Sequence, residues 1–208
     1  MTVSATNRGL KPGVCTSTAR PANPYDGMMI YETDTNLVRI WNGAAWKTLA
    51  YSDYSSGSVI QVASTTKTDT FSTTSTSFTD VTGLSVSISP TSTSSKVLVM
   101  AYVSTSISGD IALNMRLVRD STAIFVGDAA SNRPRDTGFV AIGNFSNQNF
   151  PFSPVFLDSP STTSSTTYKV QMFTNTGTVY VNRTGGDRDL TAYDARTASS
   201  ITVMEIAG

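Results

Sequence analysis

Apolar and polar residues alternate with a period of two over short stretches of this chain, and no stretch repeats at helical spacing. The run "LSVSI" from Leu84 and the set Ile111, Leu113, Met115 and Leu117, with Asn114 and Arg116 opposite, are the clearest cases. "KVLVMAYV" from Lys96 is apolar on both faces, which fits a central strand or one covered on its outer side. The pattern predicts strands at 59–63, 84–89, 96–103, 111–119, 123–127, 138–145, 155–157, 168–173, 178–182 and 200–206. Short strands joined by Gly, Pro, Ser and Thr make an all-β sandwich, most simply a jelly roll, over residues 59–208.

The N-terminal quarter reads differently. Pro12, Pro21 and Pro24 interrupt residues 1–26, and no apolar periodicity runs between them, so this segment is expected to be an extended arm docked on a partner. Residues 27–50 read as a small β-meander, "MMIYET" and "LVRIW" flanking "DTN", with a hairpin signal at Asn42–Gly43. A two-residue turn there pairs Trp41 with Ala44 and Arg39 with Trp46. Leu37, Arg39, Trp41 and Trp46 then share one face, with the Arg39 guanidinium stacked on Trp46. Both tryptophans of the chain lie in this stretch, so they are expected to form a miniature core. Residues 51–58, "YSDYSSGS", read as a linker or neck.

The C-terminal strand presents Ile201 and Val203 to one side and Met204 and Ile206 to the other. Apolar residues on both faces of a terminal strand ask for a cover, and a homotrimer packed behind the sheet supplies one. A central strand of an ordinary sandwich is the plainer alternative.

Composition narrows the function. Lys+Arg and Asp+Glu number 15 each, so nothing supplies the basic excess that nucleic-acid or polybasic membrane binding uses. Ser and Thr make up roughly 30% of the chain, which favours strands over helices. One cysteine, Cys15, cannot close an intrachain disulfide. The N-terminus lacks the layout of a signal peptide, and "VLVMAYV" is too short to cross a bilayer, so no membrane insertion is expected.

There is no histidine, which excludes Ser-His-Asp and Cys-His nucleophiles and His-based zinc sites. No phosphate-binding glycine motif follows a strand. The expectation is no enzyme, no catalytic residue, no cofactor and no metal site. Charge gathers in two loops, "GDAASNRPRD" and "NRTGGDRDLTAYDAR". They read either as solvated, salt-bridged loops or as recognition surfaces carrying Arg133, Arg135, Asp187, Arg188, Asp189 and Tyr193. Sequons stand at Asn144 and Asn182.

The residues "RPANPYDGMMIYETDTNLVRIWNGAAWK", 20–47, resemble a module of tailed-bacteriophage structural proteins with the pattern R-P-x-x-P-Y-x-G-x-x-I-Y-E-T-D-T and an aromatic hairpin. Residues 75–104 and the ending "YDARTASSITVMEIAG" resemble its accompanying C-terminal domain, similar to the trimeric jelly rolls of phage fibres and decoration proteins. The resemblance implies a virion protein, assembled in the host bacterial cytoplasm. Its N-terminal part, including Arg20, Pro21, Pro24 and Tyr25, would dock on other virion proteins of the tail, baseplate or capsid. Its sandwich would face outward, towards a host cell-surface glycan or protein. A trimeric tail or baseplate fibre is the first expectation, and a capsid decoration or adaptor protein the alternative.

Overall fold

Where the sequence alternates, the chain forms strands, and Asn, Asp and Gly in left-handed conformations turn the corners between them. The computed structural model describes residues 2–3, 10–49, 56–109, 111–142 and 148–208. The sequon at Asn144, most of the neck expected at 51–58 and the end of the strand expected at 138–145 lie outside the described residues. The chain divides into two units, Met1–Ser55 and Ser56–Gly208.

The first unit contains β1 (Thr2–Val3), β2 (Leu10–Lys11), β3 (Gly13–Cys15), β4 (Met29–Glu32), β5 (Leu37–Trp41) and β6 (Trp46–Thr48). β1 and β2 pair with each other, and the rest form one sheet in the order β3-β4-β5-β6. The segment expected to be an extended arm docked on a partner joins the sheet of its own chain at Gly13, running parallel to β4. A three-residue strand of "GVC" has too few positions to show a period.

The hairpin register also differs from the expectation. Trp41 lies opposite Trp46 and Arg39 opposite Thr48, so the loop holds four residues, Asn42 to Ala45. The Asn42 side chain selects it: its Oδ1 accepts hydrogen bonds from the amides of Ala44 (3.1 Å) and Ala45 (2.9 Å). A shift of two residues keeps every side chain on its face, so Leu37, Arg39, Trp41 and Trp46 still share one. The indoles meet edge to face, centroids 5.6 Å apart, as direct rather than diagonal neighbours. Arg39 does not stack on Trp46; it turns to Glu32 (3.2 Å) and Thr48.

The tryptophans are only half-buried, and the buried centre of this unit is Ile30 and Glu32. Glu32 accepts from Arg20 Nε (2.5 Å), Thr35 Oγ1 (2.8 Å) and Arg39 Nε (3.2 Å). Ser17 closes a second link, donating through its amide and hydroxyl to Asp34 (2.8 and 2.5 Å). These bonds tie residues 16–20 to the sheet. They also hold both carboxyls below the usual carboxylate range, chiefly through Arg20 at Glu32 and the Ser17 hydroxyl at Asp34.

The second unit contains β7 (Val59–Lys67), β8 (Phe71–Thr73), β9 (Thr79–Ile88), β10 (Lys96–Ile107), β11 (Ile111–Arg119), β12 (Thr122–Ile124), β13 (Gly138–Ile142), β14 (Phe150–Phe152), β15 (Val155–Asp158), β16 (Thr166–Thr174), β17 (Val179–Val181) and β18 (Ser199–Ile206). Two sheets result. One runs β7-β18-β10, with β15 beside β10 at one end and β14, β17 and β8 extending it at the other. The second runs β9-β16-β11, bordered by β12 and β13. The interleaved orders β7-β18-β10-β15 and β9-β16-β11-β13 are those of a jelly-roll β-sandwich. Its core is the inward set of both sheets, including Leu84, Val99, Leu113, Met115, Val170, Met172, Ile201 and Val203. β8 and β14 were not expected, being three-residue strands of "FST" and "FPF".

Two buried ionisable groups of the sandwich are held by hydrogen bonds. Tyr168, with no exposed surface, donates its hydroxyl to Asp158 Oδ2 (2.7 Å), and Arg119 Nη1 reaches both oxygens of that carboxylate at 2.8 Å. Burial, with the Asp158 bond and charge, pushes the Tyr168 phenol far above its ordinary value. Glu205 continues the inward face of β18, fully buried, and accepts from Gln61 Nε2 (2.6 Å) and from the amide and hydroxyl of Thr91 (both 2.7 Å). Burial alone would raise its carboxyl, and these bonds reverse that into a lowered value.

The outer faces of the two sheets contrast. On β7-β18-β10-β15 the register aligns Val62, Met204, Leu98 and Leu157 in one row across four strands. The next row is Ser64, Thr202, Met100 and Val155, followed by Thr66, Ser200 and Tyr102. On the other side of the first row stand Val59, Ile206 and Lys96, the one charge of the face. The outer face of the second sheet carries an ionic network instead. Arg116 lies over the Phe78 ring (3.8 Å) and donates to Gln171 Oε1, while Gln171 and Lys169 both donate to Asp80.

Candidate functional site

Loops on a rigid sandwich are where binding groups are placed without disturbing the core. The loop between β17 and β18 is the most developed of them, and it is anchored by Asn182. That residue has no exposed surface and sits in the left-handed region, φ 63°. Its Nδ2 donates to the carbonyls of Lys67 (2.8 Å) and Asp69 (2.9 Å), and its Oδ1 accepts from Ser199 Oγ (2.6 Å). The Asn182 sequon is therefore a structural asparagine with its amide nitrogen already committed.

Beyond the anchor, two carboxylates organise the loop. Asp194 accepts from Thr184 Oγ1 (2.8 Å) and from the amides of Arg188 (2.9 Å) and Leu190 (3.3 Å), with Arg188 Nε at 3.4 Å. Burial works to raise its carboxyl, but these donors outweigh it and the net shift is downward. Asp187, at φ 43°, pairs with Arg196 and with Arg183 Nη1 (3.2 Å), and Arg196 holds its carboxyl below the ordinary range. Arg183 lies over the Tyr180 ring at 4.4 Å.

The framework leaves a cavity of about 320 Å³ lined by Asp187, Asp189, Leu190, Asp194 and Arg196 among others, and a second of about 280 Å³ beside Tyr193. Tyr193 is 62% exposed and Leu190 46%. Asp189, exposed at φ 59°, makes no hydrogen bond or ion pair among the described residues. The wall thus offers an aromatic face, an aliphatic patch and fixed carboxylate acceptors. Such a wall offers contact area and hydrogen-bond acceptors, and among the described residues it sets no nucleophile beside an activating base. Among the described residues no group of acids, cysteines or histidines could hold a metal ion.

Of the six residues named as recognition candidates, Asp187, Arg188, Asp189 and Tyr193 belong to this loop. Arg133 and Arg135 do not join them. The loop after β12 leaves the second sheet midway along its β11 edge, between Ile124 opposite Leu117 and Gly138 opposite Met115. There Arg135 Nε donates to the Gly127 carbonyl (2.7 Å), and Asp136 is half-buried, its carboxyl raised by desolvation despite Arg116 nearby. Thr184, Leu190, Asp194 and Arg196 complete the β17–β18 loop. Only Asp194 and Arg196 stood out beforehand, through charge.

In the first unit Arg20 is spent on Glu32, Pro21 and Pro24 are half-buried, and Tyr25 is 65% exposed.

No family model matches the chain, and no curated protein sequence matches it. Among solved structures it is similar to that of infectious bursal disease virus Gx strain, at 16% identity and a TM-score of 0.36 over 80% of this chain and 45% of that one. T=1 particles derived from the same virus match at 15% identity and 0.38, over 80% and 43%. The VP2 subviral particle of that virus matches at 18% and 0.33, over 80% and 41%. The chain spans less than half the length of each of these proteins. Likeness at this level identifies no function.

Proposed function

We propose that this protein is a bacteriophage virion structural protein, a homotrimeric tail or baseplate fibre. Its N-terminal unit attaches to the particle and its jelly roll contacts the host surface. The observation that carries the reading is the β17–β18 loop of the sandwich: adjoining cavities with an exposed tyrosine, braced by three arginine–aspartate pairings. Support also comes from residues 20–47, whose resemblance to a phage structural module includes the Arg20, Glu32 and Thr35 that hold the first unit together. Neither unit is assigned any catalytic role.

The test uses the full chain and the particles that carry it. Purified protein should bind the host cell and compete with particle adsorption, and Tyr193→Ala should reduce both at least about tenfold, the loss expected when an aromatic anchor is removed. Particles should carry a few trimers each. Hundreds of copies per particle, with adsorption indifferent to Tyr193→Ala, would replace the fibre reading with that of a decoration protein.

A further inference from the structure

We infer that the outer face of β7-β18-β10-β15 is the surface on which copies of this chain pack against one another. The inference rests on the homotrimer proposed above and names the surface that would make it.

The face is continuous because strand register makes it so. Val62, Met204, Leu98 and Leu157 are direct cross-strand partners, with no polar residue between them. Its members are accessible: Val59, Val62, Tyr102, Val155 and Leu157 are between 46% and 59% exposed, while Leu98, Met100, Met204 and Ile206 are half-buried. A solvated sheet face ordinarily alternates polar residues outward, as the opposite sheet does with Arg116, Lys169, Gln171 and Asp80. The difference between the two faces is therefore chemical and local.

Charge decides the occupant. Lys96, at the margin, is the one charged residue of the face, so there is no pattern for an acidic, basic or nucleic-acid partner to complement. A second copy brings the same apolar rows, which an isologous or cyclic contact sets against each other. Area sets the scale of the contact. At roughly 30–40 Å² per interface residue, about fourteen positions bury about 400–550 Å² per copy, and two faces together about 1,000 Å², the low edge for a specific contact between copies. The number three comes from the homotrimer proposed above.

Sedimentation of the full chain at micromolar concentration tests this, with Val62→Asp and Leu157→Asp as separate variants. Both sites are about half exposed, so each variant keeps its core, and an unchanged far-UV spectrum and thermal transition confirm it. Ser87→Asp, on the outer face of the other sheet, is the control. The expected result is a trimer for the parent and the control, and a monomer for both face variants. A trimeric parent with trimeric face variants would overturn this surface and leave the homotrimer standing. A dimeric parent that the face variants dissociate would support the surface and overturn the homotrimer. A monomeric parent would overturn both.

Discussion

Glu32→Gln should unfold the first unit and leave the sandwich intact. The substitution conserves shape but removes the charge at a site with no exposed surface. It also replaces one acceptor oxygen by an NH₂ group, so a donor faces donors among Arg20, Thr35 and Arg39. Breaking a buried ion pair from one side costs about 3–5 kcal/mol. The arginine side chains here are 33% and 19% exposed, so water recovers part of that, and about 2–4 kcal/mol is expected. A folded unit of about 40 residues, at about 0.05–0.15 kcal/mol per residue, has about 2–6 kcal/mol to lose. Both tryptophans lie in this unit, so indole emission of the full chain reports it alone, while far-UV dichroism is dominated by the sandwich. At a urea dependence of about 1 kcal/mol/M, the emission midpoint should fall by at least about 2 M or vanish. The dichroism transition should stay in place. An emission midpoint within about 0.3 M of the parent would show that the buried carboxylate contributes nothing, and the account of this unit would fail.

Acid should act on the same unit. Glu32 has a folded-state pKa below its unfolded one, so its contribution is complete above the unfolded value of about 4.3 and is lost as pH falls through the folded one. The indole-reported midpoint should be level above about pH 5 and drop below about pH 4; a level profile down to pH 3 contradicts the assignment. In the sandwich, Asn182→Ala orphans the Lys67 and Asp69 carbonyls and puts alanine in a left-handed position. A loss of about 2–4 kcal/mol should lower the melting temperature by about 5–15 °C, read by dichroism, and an unchanged melt would refute the anchoring role.

Strands were legible where one face is wet and the other dry. Ile111–Arg119 has the bounds its alternation predicts, because Leu113, Met115 and Leu117 face the core while Arg116 does not. Legibility failed where a side chain did the work of a backbone pattern. Asn42 widened a two-residue turn to four by accepting two amides. Glu32, in "YETDT", looks like a surface acid, and only its spacing from Ile30 hints that it shares the buried face. Its partner Arg20 is twelve positions away across prolines, and no periodicity connects them. The recognition loops were found by charge, but charge does not report the sheet from which a loop leaves. That follows from strand pairing, which separates Arg133 and Arg135, at the β11 edge, from Asp187, Arg188, Asp189 and Tyr193, beside β10.

The two outer faces of the sandwich bear on how the loops can be used. If copies pack through β7-β18-β10-β15, the face with Arg116, Phe78, Lys169 and Asp80 points away from the axis, where its ion pairs keep water. The β17–β18 loop is fixed to the first sheet, through Ser106 Oγ to the Arg183 carbonyl (2.6 Å) and Asn182 to Lys67 and Asp69. Ser106 is an even position of β10, as Leu98, Met100 and Tyr102 are, so the loop is anchored beside the face on which copies would pack. Three copies would present three such cavities around one axis, which converts a weak single contact into a strong one by effective concentration. The loop needs only modest affinity on that account. This fits a wall of one exposed tyrosine, one leucine and exposed Asp189 better than a deep pocket would.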